Sequence, residues 1–295
     1  MPETTAPGAA SRREPVEAGA AARFARRFLR HRLAVTGALI VLLLVFTALF
    51  GGRIAPFEYT QMDFTAQFAP PSLEHPFGTD EFGRDIFTRV LYGAAVSLKV
   101  ALIAVGISGT VGVFLGVIAG YLGGWLDELI MRLMDVLFAF PAVLLAITVM
   151  AILGRGVTNA MIAIAIVYIP IFARVARGAV ISVRGREFVT AARALGRGSG
   201  GIMYRHVFPN ATGPIIVQTS LSLAFAILAE AALSFFGLGT QPPDPSWGRM
   251  LAEGRSYLAQ APWMGIFPGL AIMISVLGFN LLGDGLRDLL DPRMR

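Results

Sequence analysis

Apolar residues along this chain gather into long runs separated by short polar stretches, and the runs are too long for buried helices of an ordinary soluble domain. Six of them reach or approach the length needed to cross a hydrocarbon core: Leu33–Phe50, Val100–Leu122, Val136–Leu153, Gly156–Ala173, Pro214–Phe236 and Gly265–Leu282. Pro141, Pro170 and Pro268 fall within or near these runs and predict kinks rather than breaks, because neighbouring helices can satisfy the backbone groups a proline frees. The fold class predicted is an all-α integral membrane protein with six transmembrane helices.

Composition agrees with that reading. Of 295 residues, 55% are hydrophobic and 15% charged, with a mean hydropathy of +0.67, whereas soluble domains carry about a quarter charged residues. The chain has no cysteine, which excludes disulfides and thiolate metal sites. His31, His75 and His206 are far apart and show no ligand spacing, so no metal site is expected. The formal charge is +6 and Lys99 is the only lysine. Lys99 stands between Leu98 and Val100, so the chain lacks the Gly-Lys-Ser/Thr of a phosphate-binding loop, and any ATP that drives it binds elsewhere. The arginines lie in loops between apolar runs, which points to membrane topology and not to nucleic acid.

Residues 1–22 read as a disordered tail. Residues 23–93 read as a basic segment, a first span and an outer loop, and 94–295 as a five-span core. The first apolar run is longer than a signal-peptide core and no small-residue cleavage site follows, so it is expected to be retained. If the N-terminus is cytoplasmic, 18 arginines fall on the cytoplasmic side and 6 on the other, which predicts both termini inside. Gly112, Gly116 and Gly120 form a doubled small-xxx-small face, expected to pack within the subunit or against a second one.

The same topology puts the polar segment from Glu187 to Pro209 in the cytoplasm. A helix is predicted over about 184–197, with Phe188, Ala191, Ala192 and Leu195 on one face, Arg184, Arg186 and Arg193 as polar contacts, and Glu187 favouring the N-terminus. Gly196 is placed to end the helix in the left-handed conformation. The stretch Arg197-Gly-Ser-Gly-Gly201 is expected to be flexible and Pro209 to set the turn into the fifth span. Charge and amphipathicity alone leave two readings open: a docking helix for a protein partner, or a basic loop lying on anionic headgroups.

The spacing in this segment resembles the "EAA" loop of ATP-binding-cassette importer permeases, in which Glu-Ala-Ala is followed after three residues by Gly and later by Ile-x-Leu-Pro. Ala191, Ala192, Gly196 and Pro209 match, while Thr190, His206 and Phe208 stand at the glutamate, isoleucine and leucine positions. The segments His75-Pro-Phe-Gly-Thr-Asp-Glu-Phe-Gly-Arg-Asp85, Gly120-Tyr-Leu-Gly-Gly-Trp125, Ala229-Glu-Ala-Ala-Leu-Ser-Phe-Phe-Gly-Leu-Gly239, Pro245-Ser-Trp-Gly248 and Asn280-Leu-Leu-Gly-Asp-Gly-Leu-Arg-Asp288 resemble C-type permease subunits of dipeptide, oligopeptide and nickel importers. The resemblance spans about residues 23–295. It implies a type I importer permease in the bacterial cytoplasmic membrane that is not itself an enzyme. The implied partners are a B-type permease, two ATPases and an extracytoplasmic solute-binding protein. ATP and magnesium would lie on the ATPases, with no cofactor on this chain. It also implies that Glu187, Thr190, Ala191, Ala192, Arg193, Gly196 and Pro209 couple to an ATPase.

The alternative is a self-sufficient secondary transporter or channel, for which the intramembrane ionisable groups are Glu230 and Asp135, with no inverted repeat evident. Glu230 is expected to line a pathway or, preferably, to pair with an arginine. Asp127, Glu128, Arg132 and Asp135 predict a local ion-pair cluster about Arg132, repeated by Asp284, Arg287 and Asp288. Asp80, Arg84 and Asp85 are candidates either for docking an external partner or for fixing a turn. Gly106-Ile-Ser-Gly109 resembles the nucleophile motif of rhomboid-type intramembrane proteases. No later span offers a histidine base, so helix packing is the expected role.

Overall fold

A computed structural model describes residues 20–290. Of the expected tail, 1–19 lie outside the described residues, and Ala20 already begins a helix. The described residues form α1 (Ala20–Arg30), α2 (Arg32–Ile54), α3 (Ile86–Leu122), α4 (Gly124–Phe138), α5 (Ala142–Leu153), α6 (Val157–Arg184), α7 (Glu187–Ala194), α8 (Ser199–Ile202), α9 (Phe208–Phe235), α10 (Trp247–Gly254) and α11 (Trp263–Leu290). Among them, five helices are long and apolar enough to cross a membrane, and α4 with α5 makes a sixth span if that bent pair is counted as one.

The third apolar run departs from expectation. Its two helices meet at 91° around Ala139–Pro141, so Pro141 breaks the span where a kink is predicted. Pro141 has no N–H to continue the ladder and disfavours helical backbone at Phe140. Pro170 and Pro268, by contrast, are buried inside continuous helices, as predicted. α3 has 37 residues, about 55 Å at the usual rise, and overshoots a hydrocarbon core of about 30 Å. Its first turns are therefore free to join the loop region, and the expected boundary at residue 93 falls inside this helix.

Pro209 does not make a turn. The chain is helical from Ser199 through Phe235, with a π-helical turn over Met203–Val207. Proline at 209 removes the N–H that the Arg205 carbonyl would take in an α-helix. The backbone widens just before it, and the Phe208 N–H bonds back five residues to the Met203 carbonyl. The Gly-rich stretch expected to be flexible supplies the cap (Gly198) and first residues of this helical run.

Packing rests on close helix contacts. A Cβ added at Gly112 would meet the Ile169 carbonyl oxygen at 2.5 Å, at Gly116 it would collide with the Ala173 carbonyl oxygen, and at Gly120 it would meet the Arg177 oxygen at 2.8 Å. The glycine face of α3 is therefore filled by α6 of the same chain. α2 and α11 approach through Ala34, Gly37, Gly278 and Gly285 in the same way. Ser108 is buried and donates to the Val105 carbonyl at 3.2 Å, a packing role in α3 as expected.

The helices define two ends. One carries His31, the α3–α4 junction, α7 and the end of α11, with His31 Nε2 3.2 Å from Asp288 Oδ2. Asp288 thus pairs across to the start of α2 and not locally with Arg287. The other end is capped by residues 55–85 and α10. Trp263 Nε1 donates to the Thr79 carbonyl at 3.0 Å, Trp247 Nε1 donates to the Val90 carbonyl at 3.0 Å, and Phe77 stacks on Phe267 at 3.9 Å.

Gly116→Leu forces a side chain into the α6 backbone. It should lower the melting temperature of the detergent-solubilised chain by the equivalent of about 3 kcal/mol or more. Gly106→Leu, at an exposed site with open space around it, should melt close to the parent. Equal melting of the two variants would refute the packing account.

Candidate functional site

The candidate coupling segment is built from α7 and the π turn after it. α6 ends at Arg184, and Gly185 separates it from α7, so the helix is shorter than the expected 184–197 and Arg184 belongs to α6. Glu187 opens α7, where a carboxylate complements the helix dipole. The helix ends in a Schellman arrangement: Gly196 has φ +77°, its N–H donates to the Arg193 carbonyl at 2.9 Å, and the Arg197 N–H donates to the Ala192 carbonyl at 3.3 Å. Nothing crowds Gly196, so its backbone conformation alone calls for glycine.

The predicted face divides. Val189 and Ala192 turn inward and pack with Val180, Val183, Ile202 and Val207. Phe188, Ala191 and Leu195 remain on the outside, joined by Tyr204 from the π turn; Leu195 is 87% exposed. Glu187, Thr190, Arg193 and Pro209 are exposed as well. Ala192 is thus an anchor within the chain, while Ala191 is presented outward. Val189 and Tyr204 escaped the sequence reading; the only signal was the apolar series Val183, Val189, Ile202 and Val207, which has no single helical period.

Polar contacts fix this end. Arg184 Nη1 donates to the Gly120 carbonyl at 2.7 Å, tying α6 to α3, and Arg197 Nη1 donates to His206 Nε2 at 2.6 Å across the hairpin. Asp127 accepts from Arg177 Nε and Nη2 at 2.6 and 2.7 Å, and Asp135 accepts from Arg174 Nη2 at 2.7 Å. The predicted cluster about Arg132 is therefore replaced by bonds between helices. A forked guanidinium on α6 offers Asp127 two parallel bonds.

Of the two roles open to Asp80, Arg84 and Asp85, a turn fixed by its own hydrogen bonds is the one the fold supports. Asp80, Arg84 and Asp85 are buried and so are not offered to an external partner. Asp80 accepts from the Phe82 and Arg84 N–H groups at 2.9 Å each and from Arg84 Nε at 2.6 Å. Asp85 caps α3 through the Thr88 N–H at 2.7 Å and lies 3.0 Å from His75 Nδ1. Arg89 Nη2 reaches Glu253 of α10 at 2.9 Å. Desolvation by burial holds the nearby Glu81 carboxyl above the usual carboxylate range.

Glu230 is 1% exposed and has no arginine partner among the described residues, so both the ion pair and the pathway-lining role fall away. Its neighbours are hydroxyls: Ser97 at 2.8 Å, Ser234 at 2.7 Å, Thr240 at 3.5 Å, and Ser246. Elsewhere, an apolar cavity of about 370 Å³ lies between α5, α6 and α9, lined by Ala142, Ala146, Tyr168, Phe225 and Ala232 among others. Among the described residues no group of three or more His, Asp or Glu side chains is placed to hold a metal ion.

The described residues thus form a bundle of long apolar helices with a small amphipathic helix held out at one end. Residues 112–295 match the family of binding-protein-dependent transport system inner membrane components, and the chain belongs to that family. Residues 21–71 match the N-terminal TM domain of oligopeptide transport permease C. The chain is 49% identical over 266 residues to the dipeptide transport system permease protein DppC of Alkalihalophilus pseudofirmus, covering 90% of this chain and 88% of that one. It is 48% identical over 273 residues to the glutathione transport system permease protein GsiD of Escherichia coli, covering 92% and 90%. A chain of the MetNI methionine ABC transporter, solved in an inward-facing conformation, superposes with a TM-score of 0.58 at 16% identity, covering 68% of this chain and 96% of that one. The chain therefore shares the fold of an ABC importer permease and is a multi-pass protein of the cytoplasmic membrane.

Two predictions follow from burial. Ala192→Trp should destabilise the chain itself by about 1–3 kcal/mol through overpacking, whereas Ala191→Trp should leave melting unchanged; equal effects would overturn the assignment of faces. For Glu81 the folded-state value is raised. Its stabilising contribution is complete below the unfolded value of about 4.3 and is lost as pH rises through the folded one. Glu81→Gln should therefore raise the melting temperature at neutral pH and lose that advantage in acid. A variant less stable than the parent at neutral pH would contradict this.

Proposed function

We propose that this chain is a non-catalytic permease subunit of an ATP-driven importer of peptides. It would form the translocation path with a second, B-type permease. Two ATPases would carry ATP and magnesium, and an extracytoplasmic binding protein would deliver the cargo. The observation that carries this reading is the outward face of Phe188, Ala191 and Leu195 on a helix whose other face is anchored by Val189 and Ala192. A short helix fixed on one side and apolar on the other is suited to a partner's cleft. The excess of arginine at this end supports a cytoplasmic position for it and for both termini. The absence of a phosphate-binding lysine supports ATP hydrolysis on other chains. Relatives named for dipeptide and glutathione transport support small peptides as cargo.

ATPase closure would push on α7. The Arg184–Gly120 bond and the unbroken helix from Ser199 to Phe235 would carry that displacement into α3, α6 and α9. Alternating access then follows from contacts that differ between two states. Glu187, Thr190, Ala191, Arg193 and Leu195 would meet the ATPase. Ala192 and Gly196 would shape the helix, and Pro209 would fix the π turn behind it. A self-sufficient carrier is less well supported, since Glu230 is enclosed by hydroxyls and Asp135 is engaged by Arg174.

In the assembled transporter, Ala191→Trp should lower peptide uptake by a factor on the order of ten while the chain stays folded and inserted. Uptake assays in proteoliposomes, with co-purification of the ATPases as a second readout, check this. Parental uptake by a fully assembled Ala191→Trp complex would sink the docking role, and uptake by the purified chain alone would sink the subunit reading.

A further inference from the structure

Glu230 belongs to no part of the coupling path, yet it is among the largest fully buried side chains. It lies in α9, one of the helices long and apolar enough to span the membrane. Other buried or half-buried carboxylates of the chain face a cation: Asp80 meets Arg84, Glu253 meets Arg89 and Asp127 meets Arg177. Among the described residues Glu230 meets only hydroxyls, and they come from three places: Ser97 on α3, Ser234 one turn on in α9, and Thr240 and Ser246 in the segment that leads to α10. At 1% exposure within this chain, no group of another subunit can reach it without opening the cage.

The inventory of donors and acceptors matches a neutral acid. A carboxylate is acceptor-only, whereas a carboxylic acid has one donor besides its acceptors, and a serine hydroxyl can play either part. Ser234 Oγ accepts the Thr240 backbone N–H at 3.0 Å, which leaves its own proton for Glu230 Oε1. Thr240 Oγ1 approaches the same oxygen. Oε2 lies 2.8 Å from Ser97 Oγ, a hydroxyl that can accept as well as donate. A negative charge here would lack the paired cation that burial in a low-dielectric interior requires.

We propose that Glu230 is a proton-bearing positioning residue: a neutral carboxylic acid whose Oε2–H donates to Ser97 while Oε1 accepts from Ser234 and Thr240, pinning the 237–246 segment and α9 to α3. The inference does not depend on cargo or on the ATPases. Infrared spectra of the full-length chain in lipid nanodiscs test it. The parent should show a protonated carboxyl C=O band, sensitive to deuterium exchange, that disappears in Glu230→Gln and moves to higher frequency in Ser234→Ala. Glu230→Gln, a neutral isostere with its own donor, should melt close to the parent. Glu230→Ala leaves the buried hydroxyls around it without their partner and should melt markedly lower. Loss of a carboxylate band in Glu230→Gln in place of the carboxyl band would overturn the proposal. So would a Gln variant as unstable as the Ala variant, or one that fails to fold.

Discussion

The distance between α3 and α6 governs the rest of the bundle. In lipid, apolar surface gives helices no hydrophobic reason to associate, so contact depends on how closely their backbones can pack. Gly112, Gly116 and Gly120 let α6 lie directly on α3, carbonyl oxygens of Ile169, Ala173 and Arg177 filling the space a side chain would take. Once that register is set, positions further along α6 follow. Arg174 and Arg177 reach Asp135 and Asp127 of α4, and Arg184 reaches the last carbonyls of α3. The small helix α7 is thus hung from a rigid pair and not from a loose loop.

Polar groups are satisfied differently at the two depths of the molecule. In the cap formed by residues 55–85 and α10, Asp80, Glu81 and Glu253 are interleaved with Arg84, Arg89 and Arg249, and the carboxylates have cations at hand. Within α9, Glu230 has hydroxyls instead. Both arrangements hold chain segments that are distant in sequence. The ion pairs bind the loop to α10, and the hydroxyl cage binds the end of α9 to α3. Charge is kept where helix ends, caps and water can answer it, and the apolar layer uses groups whose neutral forms can bond.

What the sequence made legible was what local patterning determines. The apolar runs located the spans, the four-residue spacing of glycines marked the tightest helix contact, and Gly196 marked the end of α7. The misses share a cause: each depended on a neighbour distant in the chain. Pro141 and Pro170 look alike in sequence, but one breaks its span and the other lies buried inside a continuous helix. Asp135 has Arg132 at helical spacing, yet it bonds Arg174 of α6. For Asp80 and Asp85 the sequence left a docking role and a fixed turn both open, and only the fold, with Arg84, Arg89 and α10 over them, favours the turn. Ala192 and Ala191 are adjacent alanines on one predicted face, and only the arrival of Ile202 and Val207 turns one of them inward.

That last division bears on Thr190, which stands where the general importer motif has glutamate. Its side chain is exposed and takes part in none of the contacts that anchor α7, which run through Val189 and Ala192. A position without an internal role is free to follow whatever meets it from outside. Glu187, one turn earlier and also exposed, keeps a carboxylate in the first turn, where the helix dipole favours it. Under the proposed docking, the negative charge of the helix is therefore displaced by one turn and not lost, and the partner's cleft should carry its complementary cation nearer the start of α7. The anchoring residues behind it need no matching change, because the face that holds the helix and the face that would be read by the ATPase share no side chain.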